Sequence, residues 1–541
     1  MQRLKLSLPH HWVLIISFLF LIVPLIGLEL PILQYSKGIF IYSYDEAYIR
    51  MATAKNLALH GTWGLWSTDF SSASSSIFFP LLLAALYKVF GVKLIIPFLI
   101  NGVTALLLIW IIQRWLFKQG LSPWGQLVIL LVIILLTPLS VLVVMGMEHT
   151  LQVLFTFLFI VQLNEWLVKD NRQYTKHRHL PGNLYFLGMS VTTIRYEGLF
   201  VVAIACLTLV TRRRLLACIE LGLVSLLPLI LFGLYSVEKG GHFIPDSLLV
   251  KAIPLPLDWD NIRKFFTSGI VSRLIYSYNT PGAVATGRLL ILLPLIYGLF
   301  ISRLRGQRLY TNILLFCFVT TILHLIFSSA ILFYRYEAYL IAVSLLISGV
   351  LIFRYGRVLW PPKGYSIRWV VVWATIFLIY PFLSRGYMAY KDVGTECLNI
   401  YEQDYQAAAF IHRFYNDAVV ITDGIGAASY LSDGKKLDLY SGIGYLEAAR
   451  AKVQSYYQLI YIKYLINKEQ PVLAIISEDR YPAALMLNWV KVADWYTDTR
   501  VILGNTQLSF YAPNESAASI LKENLKAFES YLPAGVKPTY P

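Results

Sequence analysis

Charge is scarce in this sequence. Only 14% of its 541 residues are Asp, Glu, Lys or Arg, against about 25% in ordinary soluble domains. With 57% of residues hydrophobic, a water-soluble fold of this length could not hide its apolar surface, so the excess must face lipid. Cysteine is scarce too. Cys206, Cys218, Cys317 and Cys397 are scattered and form no Cys-x-x-Cys pair, which leaves neither a disulfide framework nor a cysteine zinc site. No Gly-rich phosphate loop is present, since Gly424-Ile425-Gly426 lacks the third glycine and its context. There is no internal repeat and no low-complexity segment. No basic stripe with interleaved aromatics occurs, so a nucleic-acid partner is not expected. The N-terminus carries Arg3 and Lys5 before an apolar run but lacks a small-residue cleavage site, and it reads as an uncleaved first helix.

What the chain does have is long apolar runs. A bilayer core of about 30 Å needs about 20 apolar residues per helix. Candidates are 12–30, 94–113, 124–145, 150–168, 215–237, 288–302, 313–331, 338–353 and 369–384. The net charge is +15, from 46 Lys+Arg against 31 Asp+Glu. Its basic clusters (Lys169/Arg172/Lys176/Arg178, Arg212/Arg213/Arg214, Arg303/Arg305/Arg308 and Arg354/Arg357/Lys363/Arg368) lie between apolar runs, where the positive-inside rule puts cytoplasmic loops.

Two stretches need separate treatment. Residues 184–210 are flanked by basic clusters on both sides, so one crossing would leave a cluster outside. Two short helices, 184–194 and 198–210, meeting at Arg195-Tyr196-Glu197-Gly198 remove the conflict. Residues 77–91 are too short to span and read as a re-entrant or interfacial helix. The expected fold is an α-helical polytopic membrane bundle with about eleven crossings. It occupies residues 1–384, with outer loops 31–76 and 238–287.

Residues 385–541 have ordinary soluble composition. Strand-like runs occur at Ala418–Thr422, Val472–Ser477, Val501–Leu503 and Leu508–Ala512, and helical patterns at Tyr405–Tyr415 and Leu446–Leu465. A small α/β domain on the outer face is expected.

The most informative segment is Tyr44-Asp45-Glu46-Ala47-Tyr48-Ile49-Arg50, just after the first helix. Asp45 and Glu46 suit the cap and first turn of a helix. They equally suit a carboxylate at the membrane surface that takes a proton from an attacking hydroxyl. Gly146-Met147-Glu148-His149 and Tyr334-Arg335-Tyr336 form polar turns between apolar runs, as does the Arg195 motif. As bland alternatives, Arg195 with Glu197 would be a buried pair, Arg335 with its tyrosines an interfacial anchor, and Lys251 a solvated loop residue.

Taken in order, these segments resemble the GT-C superfamily of integral membrane glycosyltransferases. The likeness is nearest to the branch of terminal arabinofuranosyltransferases and polyprenyl-phosphate-sugar-dependent mannosyltransferases. The Asp45-Glu46 pair is similar to that family's first outer loop. Gly146-Met147-Glu148 resembles its Gly-x-Glu turn, and Arg195-Tyr196-Glu197-Gly198 its Arg-Pro-Glu-Gly motif, with Tyr196 in place of Pro. Pro245-Asp246-Ser247 through Lys251 resembles a Pro-Asn-Thr…Lys stretch, Tyr334-Arg335-Tyr336 a Phe-Arg-Tyr turn, and Asp423-Gly424-Ile425-Gly426 part of the outer domain. The resemblance implies transfer of a sugar from a polyprenyl-phosphate donor to an acceptor hydroxyl of a glycan, lipid or protein. It implies Asp45 as base, with Glu46 assisting or orienting the acceptor. Arg195, Lys251 and Arg335 would meet the phosphate, and Glu148, His149, Glu197 and Tyr334 would complete substrate binding. Oxygen ligands from Asp45 and Glu148 would suit Mg2+ or Mn2+, though no spacing demands a metal. A multi-pass protein of a bacterial inner membrane is implied, with its active site on the periplasmic or extracellular side. A transporter or flippase of lipid-linked sugars is the alternative, but no matching halves are visible.

Overall fold

A computed structural model describes residues 11–173, 179–249, 263, 292–327, 334–359, 365–453, 459–480, 488–498 and 506–541. The first part is all helical. It comprises α1 (His11–Tyr35), α2 (Asp45–His60), α3 (Phe78–Phe90), α4 (Ile96–Lys118), α5 (Pro123–Leu136), α6 (Leu139–Val144) and α7 (His149–Gln173). Then come α8 (Gly182–Ile194), α9 (Gly198–Thr211), α10 (Leu215–Glu238), a single turn α11 (Asp246–Leu249), α12 (Leu292–Leu304), α13 (Arg308–Phe327), α14 (Ala338–Leu359) and α15 (Tyr365–Ile400).

Among the described residues, six helices are long and apolar enough to cross a bilayer: His11–Tyr35, Ile96–Lys118, His149–Lys169, Leu215–Glu238, Arg308–Phe327 and Ala338–Tyr355. The chain is thus a multi-pass membrane protein by composition and length. On α1 and α10 the outward faces are bare hydrocarbon, with Val23 63% and Leu223 65% exposed, as lipid contact requires. The expected run 124–145 is not one helix. Pro138 has no N–H to continue the ladder, and the run divides into α5 and α6. Residues 184–210 do form two short helices that turn at Arg195. Residues 77–91 form α3, which packs on α2.

The end of α15 passes without a break across the expected boundary at residue 384 and continues into a π-helical turn, Tyr401–Tyr405. Beyond it lies a mixed sheet. Its strands are β1 (Val420–Thr422), β2 (Lys436–Leu437), β3 (Leu473–Ile476), β4 (Val490–Thr497), β5 (Gln507–Ala512) and β6 (Val536–Thr539), in the order β2-β1-β3-β5-β4-β6. β1 runs parallel to β2 and β3, and the other neighbours are antiparallel. The helices are α16 (Gln406–Phe414), α17 (Ile425–Leu431), α18 (Leu446–Val453), α19 (Leu459–Glu469) and α20 (Glu515–Phe528). Within the expected helix 446–465 the described residues form α18 and α19, while residues 454–458 and the expected strand 501–503 lie outside the described residues. Trp495 stacks on Phe528 of α20 and meets Phe410 and Phe510, which closes one face of the sheet.

This domain sits on the end of the bundle where α1 finishes and α2 begins. Tyr35 donates to Glu402 at 2.6 Å, and Lys55 donates to the Tyr430 carbonyl at 3.0 Å. The basic residues occupy the other end. Lys169, twenty residues along α7 from His149, is roughly 30 Å away at 1.5 Å per residue.

Candidate active site

Four segments far apart in sequence meet where α2 starts, each at a helix end. Glycine makes two of the turns. Gly146 has φ 65°, and a Cβ there would lie 2.3 Å from the Tyr42 ring. A Cβ on Gly198 would lie 2.1 Å from the Val191 carbonyl oxygen. Tyr334 enters the left-handed region at φ 64° without being glycine, a strain of roughly 1–3 kcal/mol that its surroundings must hold. α15 supplies the hold. Arg385 donates to the Tyr334 carbonyl, and the Tyr334 hydroxyl donates to Asp392 at 3.2 Å.

Glu148 is the hub of an inner layer and is fully buried. Its Oε2 lies 2.6 Å from Arg50 Nε, and its Oε1 accepts from Arg50 at 2.9 Å and from Arg195 at 2.7 Å. Arg195 also grips Glu197 with Nε at 3.0 Å and Nη2 at 2.7 Å, a bidentate pairing that suits the planar guanidinium. Glu46 lies 3.3 Å from Arg335 and 3.5 Å from Arg50. Three guanidiniums are thus balanced by three carboxylates. Burial would push the Glu148 carboxyl up, but the Arg50 and Arg195 charges outweigh it and hold the group down at about 2.

Aromatic rings fix the cations. Arg335 sits over Tyr44 at 4.0 Å, and Arg335 and Arg195 share the Tyr336 ring at 4.9 and 4.8 Å. His149 meets the same ring edge-on and places Nδ1 3.3 Å from Gln152. Arg335 Nε and His149 Nε2 are buried and have no hydrogen-bond partner among the described residues. Such orphans in a buried site call for an explanation.

Asp45 faces outward. Its Oδ2 and Oδ1 accept the backbone N–H groups of Gly426 and Ala427, both at 2.8 Å, at the start of α17. A Cβ on Gly426 would come 2.3 Å from the Asp45 carbonyl oxygen, and one on Gly424 2.7 Å from an Asp404 carboxylate oxygen. The Asp423-Gly424-Ile425-Gly426 segment is therefore a docking edge for two carboxylates.

Between α2, the end of α15 and the loops of the sheet lies a cleft of about 840 Å³ including its open mouth. Asp45, Glu46, Glu396, Asp404, Asp423 and Asp438 line it, against Arg480 as the one cation of its lining among the described residues. Burial and the charge of Asp404 push Asp45 above the ordinary carboxylate range, although its two N–H donors pull the other way. Asp404 is likewise raised by burial, against the pull of Arg480. Burial pushes Glu396 up to about 8.

Of the residues expected from sequence, Asp45, Glu46, Glu148, His149, Arg195, Glu197, Tyr334 and Arg335 all belong to this region. Lys251 lies outside the described residues. The neighbouring Asp246 binds His242 at 2.7 Å and donates its own N–H to Ser72 Oγ at 3.0 Å. That contact docks the loop on the buried serine segment 71–76, whose Ser75 reaches Arg50 at 3.1 Å. Asp45 accepts from the α17 N–H groups, and Glu148 accepts from the Arg50 and Arg195 guanidiniums. Among the described residues no group of three His, Cys, Asp or Glu side chains converges as a metal site.

Sequence reasoning passed over Arg50, Tyr44, Tyr336, Glu396 and Asp404 as site residues. Arg50 carries a usable signal, since it follows Glu46 by four residues on one helix face. Glu396 and Asp404 carry none, because their place depends on how far α15 runs beyond the membrane.

Known proteins bear on this architecture in three ways. A family model described as a domain of unknown function, DUF8728, matches residues 398–511. No curated protein sequence matches the chain. Among solved structures, the chain superposes on ArnT from Cupriavidus metallidurans bound to undecaprenyl phosphate with a TM-score of 0.52 at 14% identity, over 94% of this chain and 99% of that one. The apo state of the same protein gives 0.51 at 14% identity with the same coverage. The archaeal oligosaccharyltransferase AglB from Archaeoglobus fulgidus, in complex with an inhibitory peptide and a dolichol-phosphate, gives 0.48 at 11% identity, over 94% of this chain and 74% of that one. The likeness to ArnT is one of fold.

Proposed function

We propose that this protein is a membrane glycosyltransferase that moves a sugar from a polyprenyl-phosphate donor to an acceptor hydroxyl. The observation that carries the reading is the junction at residues 45 and 46. Asp45 opens into a solvent-connected cleft, while Glu46 beside it meets a cluster of three guanidiniums. Base and leaving-group cations thus stand on opposite sides of one short turn, as the reaction demands. A neighbour in fold holds undecaprenyl phosphate, which suits the same ligand class here.

In the proposed reaction the acceptor O–H gives its proton to Asp45. The acceptor oxygen bonds to the anomeric carbon of the donor, and the bond from that carbon to the phosphate oxygen breaks. The phosphate leaves with the electron pair and remains attached to its prenyl chain. Arg335 Nε, buried and without a protein partner among the described residues, is a donor left over for that phosphate. Arg195 and Arg50 act from behind through Glu148. The two N–H groups of α17 hold Asp45 in place while leaving lone pairs on its oxygens.

The basic clusters at the far end support a sheet domain and cleft outside the cytoplasm, by the positive-inside rule. A bacterial inner membrane, about eleven crossings and a cell-envelope acceptor complete the reading. The test is purified protein in nanodiscs with labelled polyprenyl-phosphate hexoses and pentoses. Release of prenyl phosphate is expected from one of them, and Asp45→Asn should abolish it. Undiminished release by that variant would overturn the assignment of Asp45.

A further inference from the structure

The charges around Asp45 are sorted by sign. On the bundle side, Arg50, Arg195 and Arg335 sit with their carboxylates and take no part in the cleft lining. The cleft beside them is lined, among the described residues, by six carboxylates, of which Glu46 also meets Arg335 and Arg50, and by one arginine. This acidic cleft belongs to a protein of net charge +15, so it does not follow from the overall composition.

The carboxylates are unequally provided for. Asp45 has its two N–H donors from α17. Asp438 accepts from the backbone of Tyr440 and Ser441. Asp423 accepts from Ser477 N–H at 2.8 Å and lies 3.9 Å from Arg480. Glu396 is different. It is 2% exposed, lines the cleft, and its buried Oε2 has no hydrogen-bond partner among the described residues. A buried carboxylate without a donor costs free energy that a ligand donor would recover.

The acceptor, in the reading above, is the molecule that approaches Asp45 from the open side. We infer that the acceptor carries a primary ammonium beside its reacting hydroxyl, as an amino-sugar unit does, and that Glu396 and Asp404 receive that ammonium. The cleft also presents Asn399, Gln403 and Ser477, side chains able to bond sugar hydroxyls. Burial raises the proton affinity of Asp404 and Glu396, which fits an anionic site awaiting its cation, since a bound ammonium would favour the charged form of both. The inference rests on the glycosyltransferase reading for the word acceptor, but its binding test does not.

The test is calorimetric binding to the full chain in nanodiscs. The probes are the unacetylated glucosamine disaccharide, its N-acetylated form, the corresponding glucose disaccharide, and ethanolamine. The amine disaccharide should bind at least about tenfold more tightly than both neutral disaccharides, with release of protons to the buffer. It should also bind more tightly than ethanolamine, which has the ammonium without the sugar. Glu396→Gln and Asp404→Asn are nearly isosteric, and each should remove most of the preference. Equal binding of the amine and acetylated disaccharides overturns the inference, as does a preference that survives both substitutions in a folded double variant. Ethanolamine matching the amine disaccharide would also overturn it, by showing a bare ammonium site. Turnover with a neutral acceptor and no amine preference would sink this inference alone. Amine preference without release of prenyl phosphate from any donor would sink the glycosyltransferase reading and leave the ammonium site standing.

Discussion

Replacing Glu148 by glutamine is the sharpest probe of the inner layer. The wild-type cluster is neutral, with Arg50, Arg195 and Arg335 set against Glu46, Glu148 and Glu197. Glutamine keeps the shape but removes one negative charge from a side chain with no exposure. Breaking a buried pair from one side costs about 3–5 kcal/mol, because the surviving charge has no counter-ion. Arg195 keeps its two contacts with Glu197. Arg50 keeps Ser75 at 3.1 Å, the Glu46 carbonyl at 2.8 Å and the Glu46 carboxylate at 3.5 Å. The loss should therefore fall near the low end, about 3 kcal/mol. Thermal unfolding followed by tryptophan fluorescence in detergent should show it as a midpoint several degrees lower. Arg50→Met in the Glu148→Gln background should cost less than the two single effects summed, because it removes the charge that had been stranded. A long-chain alkyl phosphate, as a substitute anion, should stabilise Glu148→Gln more than wild type. An unchanged midpoint in Glu148→Gln, or strict additivity in the double variant, would refute the closed charge network.

Other predictions follow from the outer layer. If Asp45 is the base, its raised pKa puts the acid limb of turnover above the ordinary carboxylate range. Activity should rise with pH through that limb, and Asp404→Asn should move the limb to lower pH by removing a like charge. Glu396 titrates at about 8 in the folded chain and normally at 4.5, so the stability it gives is full below about 4.5 and fades as pH rises towards 8. Glu396→Gln should therefore flatten the fall in unfolding temperature over that window, and an unchanged fall would count against the burial of this group. Gly426→Ala drives a methyl group into the Asp45 backbone; it should undock α17, expose the sheet domain to protease and cut turnover by at least about 100-fold. Arg335→Lys retains the charge but loses the planar fork, so prenyl-phosphate release should fall by about 10- to 100-fold, whereas a mere interfacial anchor would tolerate the change.

Much of this arrangement could be read from the amino acids, for identifiable reasons. Basic clusters flanking 184–210 argued against one straight helix there, and the segment folds as two helices that meet at Arg195. The motif glycines Gly146, Gly198, Gly424 and Gly426 each mark a place where a Cβ would strike a neighbour. What could not be read was partnership across distance. Glu148 and Arg50 are 98 positions apart, and Asp45 and Gly426 are 381 apart; no periodicity encodes such pairs. The break at Pro138 was present in the sequence, yet the surrounding hydropathy masked it. The strands β4 and β6 were missed because Lys491, Asp494 and Lys537 interrupt their apolar pattern, and these residues pair with Glu478, Ser509 and Asp498 instead.

The two hydrogen bonds that join Asp45 to α17 tie together parts of the gene product made at very different times. Residue 45 emerges early in synthesis, whereas its clasp arrives almost four hundred codons later. Until then Asp45 has no seat, so a chain still in synthesis lacks the arrangement that the proposed reaction would use. On the proposed reading, competence waits until the last domain closes over the first loop.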